Sequence, residues 1–195
     1  MEEIRILDIG EITKNIKEMC IEANYFLSED MKNVFQKAKE KEQSPIGKQI
    51  LNQLDENLSI AEKDNIPICQ DTGMAVVFIT VGQDVHLTGG NLTDAVNEGV
   101  RQGYQEGFLR KSVVADPIYR ENTKDNTPAI IYYDITDGNG VEITVAPKGF
   151  GSENMSRVFM LKPADGIDGI KEAVLTAVKD AGPNACPPMV VGVGI

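Results

Sequence analysis

The chain has 195 residues, enough to bury a sizeable core without disulfides or structural zinc. Its 42% hydrophobic and 25% charged residues are those of an ordinary soluble globular protein, and no stretch approaches the length of a membrane span. A net charge of −11 argues against nucleic acid and against an anionic membrane surface, because both call for a basic face.

Met1, Glu2, Glu3 and Arg5 do not make the basic head of an export signal. Three cysteines without such a signal read as reduced cytoplasmic thiols, available as ligands. From Ile12 the apolar residues recur at Ile16, Met19, Cys20, Ala23, Phe26 and Leu27, which lays a stripe on one helix face. Ser28 with Glu29 and Asp30 predicts the cap and acidic first turn of a second helix, with Met31, Val34, Phe35 and Ala38 inward. Ser44 and Pro45 open a third helix, whose stripe is Ile46, Ile50, Leu51, Leu54, Leu58 and Ala61. The character changes near Asn65, and the β-branched run Met74 to Val81 predicts a strand.

Thr93 is a candidate cap for a helix through Leu109, with Val96, Val100, Tyr104 and Phe108 on one side. Arg110 and Lys111 then fall at its C-terminal end. Ala129 to Ile135, the turn "TDGNG" and Val141 to Ala146 predict a β-hairpin. Val158 to Leu161 reads as a short strand or core segment, Gly166 to Lys179 as a helix stopped by Gly182 and Pro183. Met189 to Ile195 reads as an apolar strand that runs into the chain end, as though the chain were cut or expected a neighbour. The expected architecture is one domain over 1–195 of mixed α/β (α+β) class: a helical segment over 12–63 packed on a mixed-sheet layer over 64–195.

Cys69, in "PICQDTG", and Cys186, in "GPNACPP", both lie in turns between a helix and a strand, where ligands collect. Free cysteines are often simply buried, and that reading suits Cys20 on its apolar stripe. The flanks of the other two differ. Prolines and glycines rigidify the turns and let backbone approach a ligand, while Gln70 and Asp71 put an amide and a carboxylate beside one thiol. Zinc is a poor competitor without a Cys-x-x-Cys and with His86 as the sole histidine, and His86 reads as a surface residue. Arg110 could grip a carboxylate through two parallel hydrogen bonds, which a negative net charge does not prevent. "NTKDNTPA" (122 to 129) is a turn-rich loop that could line the same mouth. Gly149 and Gly151 bracket Phe150, and their amides could hold an anion. Neither a dinucleotide-binding glycine fingerprint nor a P-loop is present.

In this order, "PICQDTG", "LRKSVV", "NTKDNTPA", "KGFGSENMS" and "GPNACPP" resemble the α subunit, or N-terminal region, of the iron–sulfur hydro-lyases: class I fumarate hydratase and L(+)-tartrate dehydratase. The resemblance runs from about Ile12 to Ile195. It implies a [4Fe–4S] cluster with Cys69 and Cys186 as two of its three thiolate ligands, the third lying beyond this sequence. It places Asp71 near the departing or entering hydroxyl, Gln70 and Arg110 on the substrate, and the Gly149–Gly151 loop against substrate or cluster. It further implies a cytoplasmic enzyme acting on a small C4 dicarboxylate, fumarate/malate first and tartrate second. The proton-abstracting base would come from a β subunit or C-terminal domain, within a homo-oligomeric or α2β2 assembly. The chain by itself would then be catalytically incomplete. The rival from another class is a non-catalytic interaction module whose thiols are core residues.

Overall fold

The structure is a computed structural model that describes residues 4–195. The reading of Met1, Glu2 and Glu3 as a non-leader start lies outside those residues. The elements run β1 (Arg5–Asp8), α1 (Ile9–Tyr25), α2 (Glu29–Lys41), α3 (Pro45–Asp64), β2 (Met74–Gly82), β3 (Val85–Thr88), α4 (Leu92–Glu106), β4 (Ile130–Thr136), β5 (Val141–Lys148), α5 (Phe150–Glu153) and α6 (Gly166–Ala181). The mixed α/β class is therefore as expected. Two compact units form, the first ending at Lys148 and the second spanning Gly149–Ile195.

In the first unit, β2 is the centre of a three-stranded sheet ordered β4-β2-β5, parallel to β4 and antiparallel to β5. The expected hairpin is thus wrong: its two strands exist but do not pair. The strongly apolar β2 inserts between them, and the turn after β4 arches over its end. Gly82 donates its N–H to the Gly140 carbonyl at 2.8 Å, and a Cβ at residue 82 would sit 2.1 Å from the Gly138 oxygen. Only glycine permits that crossing. Alternation along β2 turns Ala75, Val77 and Ile79 into the core, where Val77 lies beside Ile131 and Val145. The other face carries Phe78, stacked on Tyr132 with ring centroids 5.1 Å apart.

Helices α1 and α4 pack against each other beneath the sheet. Ile12, Ile16 and Cys20 of α1 meet Val96, Val100 and Tyr104 of α4 in the buried core. Close approach is possible because Gly99 and Gly103 face α1: a Cβ at Gly103 would lie 2.8 Å from the Cys20 Cβ. The cap of α4 is Asn91, whose Oδ1 accepts from the Asp94 N–H at 3.2 Å, so Thr93 is already inside the helix. Phe108, expected on the buried face, follows the helix end with φ +50 and is exposed, and Leu109 takes the buried place.

Pro45 stands at the first turn of α3, with the Ser44 hydroxyl accepting from the Gly47 N–H. Helices α2 and α3 pair with each other, joined by Lys39 and Asp55 at 2.8 Å. Helix α2 consequently buries none of its residues fully, and Val34 is exposed, contrary to the inward reading. Two short strands, β1 and β3, pair in parallel, and His86 on β3 is exposed as expected.

In the second unit, α6 ends at Gly182 with φ +48, and α5 lies against the following turn Gly182–Ala185. Val158 to Leu161 is neither strand nor core, and Val158 and Met160 stand in solvent. Met189 to Ile195 forms no strand either: no described residue offers its backbone a ladder partner. Among the described residues, no helix is long and apolar enough to cross a membrane.

Candidate functional site

The Cys69 loop is pinned at both ends and open in the middle. Helix α3 stops at Asn65, which takes a left-handed conformation. Ile68, one residue before the thiol, donates its N–H to the Asn24 carbonyl at 2.8 Å, and its carbonyl accepts from Asn57 Nδ2 at 2.9 Å. On the far side, Asp71 Oδ1 accepts from the Gly73 N–H at 3.2 Å, closing a tight turn. Between these anchors Cys69 and Gln70 are exposed and Asp71 is half-buried.

Thr72, which follows Asp71, is 3% exposed and ties this loop to Arg110. Its hydroxyl accepts from the Arg110 N–H at 2.8 Å and donates to the Arg110 carbonyl at 3.3 Å. Its own carbonyl accepts from the Tyr104 hydroxyl at 2.8 Å. Burial pushes the Tyr104 phenol well above its ordinary range, so it is a permanent donor there. Arg110, expected at the C-terminal end of a helix, is not there, because α4 already stops at Glu106. It lies beyond α4 on a loop, with its backbone fixed and its side chain exposed.

The "NTKDNTPA" loop closes behind both segments. Asp125 accepts from the Thr127 N–H and hydroxyl at 3.0 and 2.8 Å and from Arg101 Nε at 3.0 Å, and Arg101 also pairs with Glu98. Burial works against the Asp125 charge, but the Thr127 bonds and the Arg101 guanidinium outweigh it and hold the carboxyl down to about 2. A carboxyl depressed in the fold stabilises above its unfolded pKa, and that contribution disappears as pH falls through the folded value. Asp125→Asn is therefore expected to lower the melting temperature at neutral pH. The gap from wild type should shrink below about pH 4 and close near pH 2, as thermal melts across that range would read.

Cys186 emerges from the second unit with φ +56, directly after the Gly182–Ala185 turn whose Ala185 is buried. The Gly149–Gly151 segment, expected to be a loop, enters the short helix α5, and a Cβ at Gly151 would touch the Cys186 sulfur at 3.7 Å. The glycine pair and the second thiol are thus neighbours. Within α5 the Ser152 hydroxyl donates to the Gly149 carbonyl at 3.3 Å.

The predicted residues therefore assemble as two sets. Cys69, Gln70, Asp71 and Arg110 stand together in the first unit, and Gly149, Gly151 and Cys186 in the second. As soft donors for an iron–sulfur group, Cys69 and Cys186 fit: both are free, exposed and carried on short, glycine-flanked turns. Cys20 does not fit, since it is fully buried and burial pushes its thiol up to about 12. No group of three or more His, Cys, Asp or Glu side chains gathers as a metal site among the described residues. Sequence reasoning placed Tyr104 on the buried face of its helix but missed the struts Thr72 and Asn126, whose role rests on burial that no local pattern announces.

The sequence profile of the fumarate hydratase (Fumerase) family matches residues 13–195, and the chain belongs to that family. It is 42% identical over 191 residues to "Putative L(+)-tartrate dehydratase subunit alpha" of Methanocaldococcus jannaschii, covering 95% of this chain and 67% of that one. It is 29% identical over 192 residues to L(+)-tartrate dehydratase subunit alpha of Escherichia coli K12, covering 96% of this chain and 62% of that one. The chain thus spans about two thirds of the length of the curated relatives it matches.

Proposed function

We propose that this chain is the α-type part of a hydro-lyase that reversibly adds and removes water on a C4 dicarboxylate, using a [4Fe–4S] cluster. The observation that carries the reading is the Thr72 strap, which fixes Arg110 against the Cys69–Gln70–Asp71 turn. Cys69 and Cys186 each supply a thiolate to the cluster. Arg110 receives a substrate carboxylate in two parallel hydrogen bonds. Gln70 orients the substrate through its amide, and Asp71 sits where the hydroxyl departs or enters. The bound cluster would supply a Lewis-acidic iron that polarises the hydroxyl leaving group. The base for the carbon-bound proton comes from a β-type partner, which fits the relatives' designation as α subunits.

Two substrates fit this chemistry. The family's description favours fumarate and malate, and the names of the relatives favour L(+)-tartrate. The deciding experiment is an anaerobic assay of the chain with its β partner on malate and L(+)-tartrate side by side. Water elimination from at least one of them is expected, with a kcat/KM preference of about tenfold or more naming the substrate. No turnover of either by an assembled, cluster-loaded protein would overturn the reading.

A further inference from the structure

The most completely bonded polar side chain behind the site is Asn126, which is 0% exposed and has φ +64. Its Oδ1 accepts from the Ser112 N–H at 2.7 Å and the Val113 N–H at 3.1 Å, and its Nδ2 donates to the Gly73 carbonyl at 3.1 Å. One amide therefore holds the segment just after Arg110 to the segment just after Asp71. It acts in parallel with the Thr72 strap, which joins the same two segments. The loop that carries it is itself locked to α4 by the neighbouring Asp125–Arg101 pair. An amide suits this pattern of two accepted bonds and one donated, whereas a carboxylate cannot donate and an ammonium cannot accept.

We infer that Asn126 is a positioning residue that sets the separation between Arg110 and the Gln70–Asp71 step, and hence the span of substrate the site accepts. The catalytic consequence rests on the proposed hydro-lyase function, whereas the positioning itself does not. A rigid second support is what keeps a carboxylate clamp within the small tolerance that productive binding allows.

Two measurements on Asn126→Ala and Asn126→Asp test this. In the unloaded chain, hydrogen exchange over 66–74 and 110–114 should quicken about tenfold in Asn126→Ala, while α1 is unchanged. Asn126→Asp keeps both accepted bonds, so it should protect 110–114 and release only 66–74. In the cluster-loaded assembly, kcat/KM on the preferred dicarboxylate should fall about tenfold or more, carried chiefly by KM, at unchanged iron per chain. A purely architectural role predicts otherwise: fewer folded or loaded molecules, a lower apparent kcat and an unmoved KM. That pattern, or unaltered exchange in both variants, overturns the inference. If the wild-type assembly turns over neither substrate, the functional reading falls and the exchange data alone decide the positioning.

Discussion

Replacing Cys69 with alanine is expected to remove the brown colour and visible absorption of the anaerobically reconstituted α–β assembly, and with them its dehydratase activity. Cys186→Ala should do the same, while Cys20→Ala should leave the colour intact. Outer-shell partners of a metal centre typically contribute 10–100-fold in affinity or activity, so loss of a direct thiolate should cost about a hundredfold or more. The contrast follows from burial. Cys69 and Cys186 are free and exposed, whereas Cys20 is enclosed between α1 and α4 and held protonated by burial. Cys20→Ala also opens a small void, so a lower melting temperature with colour preserved is the expected signature there. Visible absorption and iron content per chain are the readouts. Colour indifferent to all three substitutions would instead favour the non-catalytic interaction module.

Arg110→Ala is expected to lower kcat/KM for the dicarboxylate by about a hundredfold, mainly through KM. A hydrogen bond to a charged partner is worth about 1.5–3 kcal/mol, and the proposed clamp makes two. Arg110→Lys should recover about tenfold of that loss, because an ammonium keeps the charge and forfeits the planar fork. The effect should be separable from folding. The Arg110 backbone is held by Thr72 through its N–H and carbonyl, and neither bond uses the side chain. Melting temperature and iron content should therefore match wild type. A fall in kcat with KM unmoved would place Arg110 outside the substrate contact. Initial rates over a substrate series, with iron measured on the same samples, settle the split.

Much of the element content was legible. The 3–4 spacing of Ile12, Ile16 and Cys20 located α1, and all three are buried. Ser44–Pro45 located the start of α3, and the β-branched run after Gly73 located β2. Errors arose where a local rule met a competing partner. Val141 to Ala146 should fold back on the preceding strand, yet β2 offers both strands a more apolar neighbour and takes the centre. Thr93 and Asn91 both suit a cap, and only the backbone geometry chooses. Met189 to Ile195 has strand composition, but a strand exists only through a neighbour's hydrogen bonds.

The sequence by itself singled out the candidate residues: two turn-borne thiols, an amide and carboxylate beside one of them, an arginine, and a glycine pair. These types stand out because their flanks suit ligand binding and not a core. The tertiary structure alone decided what joins them. Thr72 reaches Arg110 across 38 positions, and Asn126 reaches Gly73 across 53. Nothing local marks either side chain as buried, since a polar residue becomes a strut only when the fold removes water from it and leaves backbone groups as its partners.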